Sequence, residues 1–268
     1  MNPYLEIIRP NICFLAVLGL IVGLLLEKIP LNLWLLPILV VFLITASGNV
    51  INDYFDYNID KINKPERPLP SGRISRKNAL VLYALLSFSG LVASVWISLN
   101  FFLLALFNSG LVFLYSKKLK KTPLGNGADS WLACSVFIAP IFIQNKIVLY
   151  SPTIVLAAIA FLGNYGREVL KDVEDVKGDK INNARTLPIL LGSLKATIIG
   201  KTIILVASFL LFLPYILGFF SELYLIFSFI LFLFSLWIIR IEDIKKVQKM
   251  LKILMFLVII SFLVSLFC

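Results

Sequence analysis

The chain reads as an all-α polytopic membrane protein of nine transmembrane helices, two pseudo-repeated four-helix units plus a ninth helix. Three observations carry that reading. Sixty per cent of the 268 residues are apolar and histidine is absent; mean hydropathy is +0.95. The apolar residues fall into runs of about twenty, enough to cross a hydrocarbon core about 30 Å thick. The text of residues 49–70 is echoed at 168–188.

The runs, in order, are 11–27, 33–57, 78–98, 100–116, 129–145, 151–172, 196–219, 222–240 and 249–267. The first follows Glu6 and Arg9 and lacks a cleavage site, so it reads as a retained helix, not a removed signal peptide. The fourth is short, and its join to the third at Ser98–Asn100 is tight. The second and sixth run in the same direction and end in matching acidic text. A parallel duplication relates such units by an axis near the membrane normal, with the ninth helix outside it. The whole of residues 1–268 is expected to form one membrane-embedded domain.

Orientation follows the lysines and arginines. The loop after the second run holds Lys61, Lys64, Arg67, Arg73, Arg76 and Lys77. The next basic loop holds Lys117, Lys118, Lys120 and Lys121; a third holds Lys171, Lys177, Lys180, Arg185 and Lys195. The last holds Arg240, Lys245, Lys246, Lys249 and Lys252, against only Lys28 and Lys146 on the opposite side. The amino terminus and the acidic loops are therefore expected on the cytoplasmic side of the cell membrane. The net charge of +10 is this topogenic bias, with attraction to anionic lipid headgroups, and not a nucleic-acid footprint. Cys13, Cys134 and Cys268 are isolated and form neither a disulfide framework nor a metal cluster. Oligomeric state leaves no signature in the text.

The chemistry lies in the acidic text. Asp53, Asp56 and Asp60 recur in spacing as Asp172, Asp175 and Asp179. Asp60-Lys61-Ile62-Asn63 matches Asp179-Lys180-Ile181-Asn182, and Leu69-Pro70 matches Leu187-Pro188, with Arg67 and Arg185 each two residues before their leucine. Residues three and four apart share one helix face. Asn49, Asn52 or Asp53, Asp56 and Asp60 form one stripe; Glu168, Asp172, Asp175 and Asp179 form the other. Solvated helix ends are the bland reading, but acids growing out of apolar segments usually face a cavity or each other. Hard oxygen ligands in two such sets suit Mg²⁺ ions that grip a polyphosphate. Pro65, Pro68, Pro70 and Gly72, and Gly178, Pro188 and Gly192, break the helices in the loops beyond the ladders.

On these residues the chain resembles the UbiA-type intramembrane prenyltransferases, a family with an N-D-x-x-D-x-x-x-D motif ending its second helix and a second Asp-rich motif ending its sixth. Asn52, Asp53, Asp56 and Asp60 match the first motif; Asp172, Asp175 and Asp179 match the second. Arg67 to Gly72 resembles the segment after the first motif. Within the family the NDYFDYNIDKINKPERPLPSGRIS and GREVLKDVEDVKGD texts look closest to the archaeal digeranylgeranylglyceryl phosphate synthases. That resemblance implies Mg²⁺-dependent transfer of a geranylgeranyl group from its diphosphate to geranylgeranylglyceryl phosphate, making an ether bond in archaeal membrane lipid. The partners implied are an isoprenyl diphosphate, a lipid acceptor and membrane lipids.

Asn52, Asp56, Asp60, Asp172 and Asp175 are then the expected catalytic set, and Asp53 and Asp179 join them as expected metal ligands. Arg67 is the leading phosphate-binding candidate. Lys117 and Lys118 follow the fourth helix and Tyr115 precedes them; the family is similar in having a Tyr and a basic residue there. Arg9 beside Pro10 resembles the first-helix entrance, and Lys171 flanks the second ladder. The alternatives are transfer to an aromatic acceptor such as 4-hydroxybenzoate, and a transporter using midplane carboxylates. The ladders lie at helix ends, away from the bilayer centre where an alternating-access site is expected.

Overall fold

The computed structural model describes residues 2–143, 150–181 and 184–267. Lys146, Asn182 and Cys268, used in the topology, repeat and cysteine readings, lie outside them. The described residues form helices and no strands. Two compact units divide the chain, Met1–Lys118 with Val136–Val148, and Leu119–Ser135 with Leu149–Cys268.

The first unit opens with α1 (Pro3–Ile8) and α2 (Pro10–Leu26), followed by α3 (Leu35–Asn63), α4 (Arg76–Val95) and α5 (Leu99–Lys117). Prolines start α1 and α2, where the missing N–H is one no helix would use. Ser75 caps α4 by accepting from the Asn78 amide at 3.1 Å. Ser98 caps α5 by accepting from the Phe101 amide at 3.0 Å, which makes the tight third-to-fourth join possible. Leu20, Leu24, Val40, Phe101 and Ala105 form the core of the unit. A smaller cluster of Ile7, Val50, Leu69, Ile74 and Ala79 seats the loop after α3 on the helix.

The second unit contains most of α6 (Leu124–Ile138), then α7 (Pro152–Ile181), α8 (Leu187–Leu191), α9 (Ser193–Phe209), α10 (Leu213–Ile216), α11 (Glu222–Arg240) and α12 (Ile244–Val264). In it α7 and α9 pack closely. A Cβ on Gly166 would stand 2.8 Å from the Gly200 carbonyl oxygen, and one on Gly200 would stand 2.9 Å from Leu170. Small residues let backbones approach this closely in lipid, where packing replaces the hydrophobic drive.

Seven helices among the described residues are long and apolar enough to cross a membrane, against nine expected. The first run forms the shorter Pro10–Leu26. The fifth, expected at 129–145, begins at Leu124 and ends as an α-helix after 15 residues, passing into a 3₁₀ turn at Ala139–Phe142. Pro140 sits in that turn and has no N–H to continue the ladder of hydrogen bonds; residues 144–145 lie outside the described segment. The α3 and α7 helices depart in the other direction. At 29 and 30 residues each rises about 45 Å, well beyond a core of about 30 Å. Their final turns carry the acidic ladders.

Candidate active site

The first ladder occupies the end of α3. Asp53 and Asp60 are only 3% and 5% exposed, an expensive position for a carboxylate without a cation. Two guanidinium groups supply the charge. Arg9 donates from Nη2 to Asp53 Oδ1. Arg67 Nη1 lies 2.7 Å from Asp60 Oδ2 and 3.3 Å from Asp53 Oδ1, so it spans two turns of the ladder. The proline loop fixes Arg67: its amide donates to the Lys64 carbonyl at 3.1 Å, and its carbonyl accepts from the Ser71 amide at 3.0 Å. Asp56 shares the face and is half-buried.

Arg9 is the joint between α1 and α2. Its backbone is left-handed, at φ 51° and ψ 71°, a conformation few side-chain-bearing residues adopt and one that collects at functional sites. The Ile8 carbonyl, at the end of α1, accepts from Asn49 Nδ2 at 2.8 Å and from Cys13 Sγ at 3.2 Å. Asn49 lies one turn before Asp53 on α3, as the stripe requires.

The end of α5 packs by aromatic contacts against the same stretch. Phe113 meets Phe55 edge-on at 5.5 Å, and Lys117 Nζ stands 5.7 Å above the Phe113 ring. Lys117 and Lys118 are exposed and Tyr115 is half-buried. Arg73 forms a forked pair with Glu6, at 2.7 and 3.0 Å, and holds the Glu6 carboxyl below its ordinary range. Arg76 lies over the Tyr54 and Tyr57 rings at 4.6 and 5.1 Å.

The second ladder is organised differently. Asp172 Oδ2 accepts from Asn126 Nδ2 on α6 at 2.9 Å, and Asp179 Oδ2 accepts from Thr186 Oγ1 at 3.1 Å. Asp175 is exposed. Glu168 is buried between Arg167 and Lys171, with Lys171 Nζ at 3.1 Å. Arg167 also donates to Asn164 Oδ1 at 3.0 Å, Asn164 donates to Asp129 at 2.9 Å, and Gln248 donates to the Arg167 carbonyl at 2.7 Å. Lys171, expected at a phosphate, is engaged by Glu168 here.

Asn126, Asp129, Asn164 and Gln248 escaped the sequence reading. Their signal was present: each is a polar residue in or beside an apolar run, a costly placement that points inward. Arg185, the sequence counterpart of Arg67, is exposed and does not take the corresponding place. The second loop is one residue shorter, so Thr186, seven residues past the ladder's last aspartate, makes that contact.

Among the described residues no three carboxylate, cysteine or histidine side chains are gathered into a metal cage. Magnesium does not need one: it keeps several waters and binds through one or two carboxylates plus substrate phosphates. The first ladder suits that mode. Asn52 Oδ1 is buried and has no hydrogen-bond partner among the described residues, a hard oxygen beside Asp53, Asp56 and Asp60.

The model of the UbiA prenyltransferase family matches residues 14–260. The chain belongs to that family. Digeranylgeranylglyceryl phosphate synthase of Methanobrevibacter smithii is 38% identical, over 100% of this chain and 99% of its own. The synthase of Thermococcus kodakarensis is 43% identical over 79% of this chain and 76% of its own. A solved structure from work on digeranylgeranylglyceryl phosphate synthase in membranes superposes with a TM-score of 0.87 at 37% identity, covering 98% of this chain and 97% of that one. A UbiA homologue from Archaeoglobus fulgidus bound to GPP and Mg²⁺ shares the fold, with a TM-score of 0.74 at 19% identity, covering 99% of this chain and 100% of its own. In this member of the prenyltransferase family, then, the two acidic ladders lie at the ends of α3 and α7.

Proposed function

We propose that the chain transfers a geranylgeranyl group from geranylgeranyl diphosphate to the hydroxyl of geranylgeranylglyceryl phosphate, forming an ether bond. The full-length likeness to digeranylgeranylglyceryl phosphate synthases carries this reading. Asn52, Asp53, Asp56 and Asp60, with Asp172, Asp175 and Asp179, would hold Mg²⁺. The metal, when bound, supplies positive charge to the diphosphate oxygen as the allylic C–O bond breaks.

The remaining work falls to this chain's own groups. Arg67 and Arg9 offer planar N–H forks suited to phosphate oxygens, and Lys117, Lys118, Lys171 and Tyr115 form the outer contacts. The electron pair of the broken bond leaves with the diphosphate, and the acceptor oxygen forms the new C–O bond. With no histidine in the chain, a carboxylate, the departing diphosphate or water receives the acceptor's proton. Residues 1–268 act as one domain, two four-helix repeats plus a ninth helix, with the amino terminus and both ladders cytoplasmic. The basic loops support that orientation.

The test is an acceptor panel. Purified protein receives labelled geranylgeranyl diphosphate and Mg²⁺ with each acceptor separately, and product mass is read. Ether product from geranylgeranylglyceryl phosphate is expected. Prenylated 4-hydroxybenzoate in its place would overturn the acceptor assignment.

A further inference from the structure

We infer that Asn49 is a positioning residue for Arg9: by holding the Ile8 carbonyl it fixes the α1–α2 joint so that the Arg9 guanidinium faces Asp53 and, in turnover, the donor diphosphate. The inference rests on the diphosphate-binding reading above.

Ile8 closes the short helix α1, so its carbonyl has no continuing turn to serve. Pro10 follows two residues later, and proline has no N–H to offer. The oxygen is instead taken by Asn49 Nδ2 at 2.8 Å, from a residue 41 positions away. Cys13 Sγ adds a weaker donor at 3.2 Å. Between Ile8 and Pro10, Arg9 adopts its left-handed backbone, a conformation that persists only where surrounding contacts impose it.

The α3 helix thus grips the joint twice on one face. Asn49 holds the backbone just before Arg9, and Asp53, one turn on, receives the side chain. Neither contact alone specifies both the backbone and the direction of the guanidinium. The contacts of Asn49 Nδ2 are the Ile8 carbonyl at 2.8 Å and, more weakly, Cys13 Sγ at 3.8 Å, so its role is exercised through the joint. At the equivalent position of the second ladder stands Glu168, which takes Arg167 and Lys171 directly. The same helix position therefore serves cation placement in both units, indirectly in one and directly in the other.

A double-mutant cycle tests it. Affinity for geranylgeranyl diphosphate with Mg²⁺ is measured for the wild type, Asn49→Ala, Arg9→Ala and the pair, with melting temperature recorded for each. Asn49→Ala is expected to weaken binding by about tenfold, the scale of one lost hydrogen bond, and to raise KM more than it lowers kcat. In the Arg9→Ala background the same change is expected to have under about twofold effect, because its target is gone. Asn49→Asp keeps the shape but loses the donor and should behave as Asn49→Ala, which guards against a folding artefact. Equal losses with and without Arg9, or a lower melting temperature with unchanged affinity, would overturn the inference. A protein that binds this donor yet prenylates a different acceptor would sink the proposed function and leave this comparison intact.

Discussion

Thr186 Oγ1 reaches Asp179 Oδ2 at 3.1 Å from seven residues downstream. Arg67 reaches Asp60 from the same distance along the chain, at 2.7 Å. The two ladders share a rule, that the last aspartate is anchored by the loop after it, but not a chemistry. One anchor is a guanidinium whose Nη1 bridges two carboxylates; the other is a hydroxyl. The first ladder therefore holds two cations among its three carboxylates before any ligand arrives, whereas Asp172 and Asp179 are held by neutral donors.

Arg67 should be sensitive to charge and to shape. Arg67→Ala leaves Asp60 buried without its cation, and a melting curve in detergent should show a loss of about 1–3 kcal/mol, less than for a fully buried pair because Arg67 is partly exposed. Arg67→Lys keeps the charge but not the fork. It should recover most of the stability and little of the turnover. Full turnover in the lysine variant would exclude a forked contact.

Single carboxylates in each ladder should be indispensable. Asp56→Ala and Asp172→Ala are each expected to lower Mg²⁺-dependent turnover at least about 100-fold, in protein whose helix content and melting are unchanged. Asp172→Ala additionally frees Asn126, so Asp172→Asn is the milder control for folding. Near-normal turnover in either alanine variant removes that ladder from the chemistry.

Metal withdrawal should separate fold from activity. The carboxylates of Asp53, Asp60, Asp172 and Asp179 already have donors within the chain. Chelation should stop turnover while leaving the melting temperature of the free protein nearly constant. Mg²⁺ together with inorganic pyrophosphate should raise it, since a ligand that binds only the folded state stabilises by mass action. A large rise with Mg²⁺ alone would mean that the chain holds the metal without phosphate.

Glycine substitutions should distinguish packing from propensity. Gly166→Ala places a Cβ 2.7 Å from Ile204 and 2.8 Å from the Gly200 carbonyl; forcing α7 and α9 apart should cost about 1–3 kcal/mol. Gly110 sits on the exposed face of α5, where an added Cβ would meet nothing within 4 Å. Gly110→Ala should be neutral or gain up to about 1 kcal/mol from helix propensity. Thermal unfolding of both variants checks the contrast.

The sequence by itself determined the all-helical membrane class, the family and the two acidic stripes. Those are properties of spacing along the chain: apolar runs long enough for a bilayer, and aspartates at intervals that a helix brings to one face. It also singled out Arg67, because a proline loop close to the ladder limits where that side chain can go. Tertiary structure alone decided which group answers each carboxylate. Arg9 reaches Asp53 across 44 residues and Asn126 reaches Asp172 across 46, distances at which local spacing holds no information. Thr186 displaced Arg185 because a loop one residue shorter turns its later side chains to new directions. The early end of α6 came from Pro140, whose effect depends on the hydrogen bonds around it. Helix periodicity is written locally, but the pairing of buried charges is set by packing between helices, where each carboxylate takes whichever donor the fold delivers.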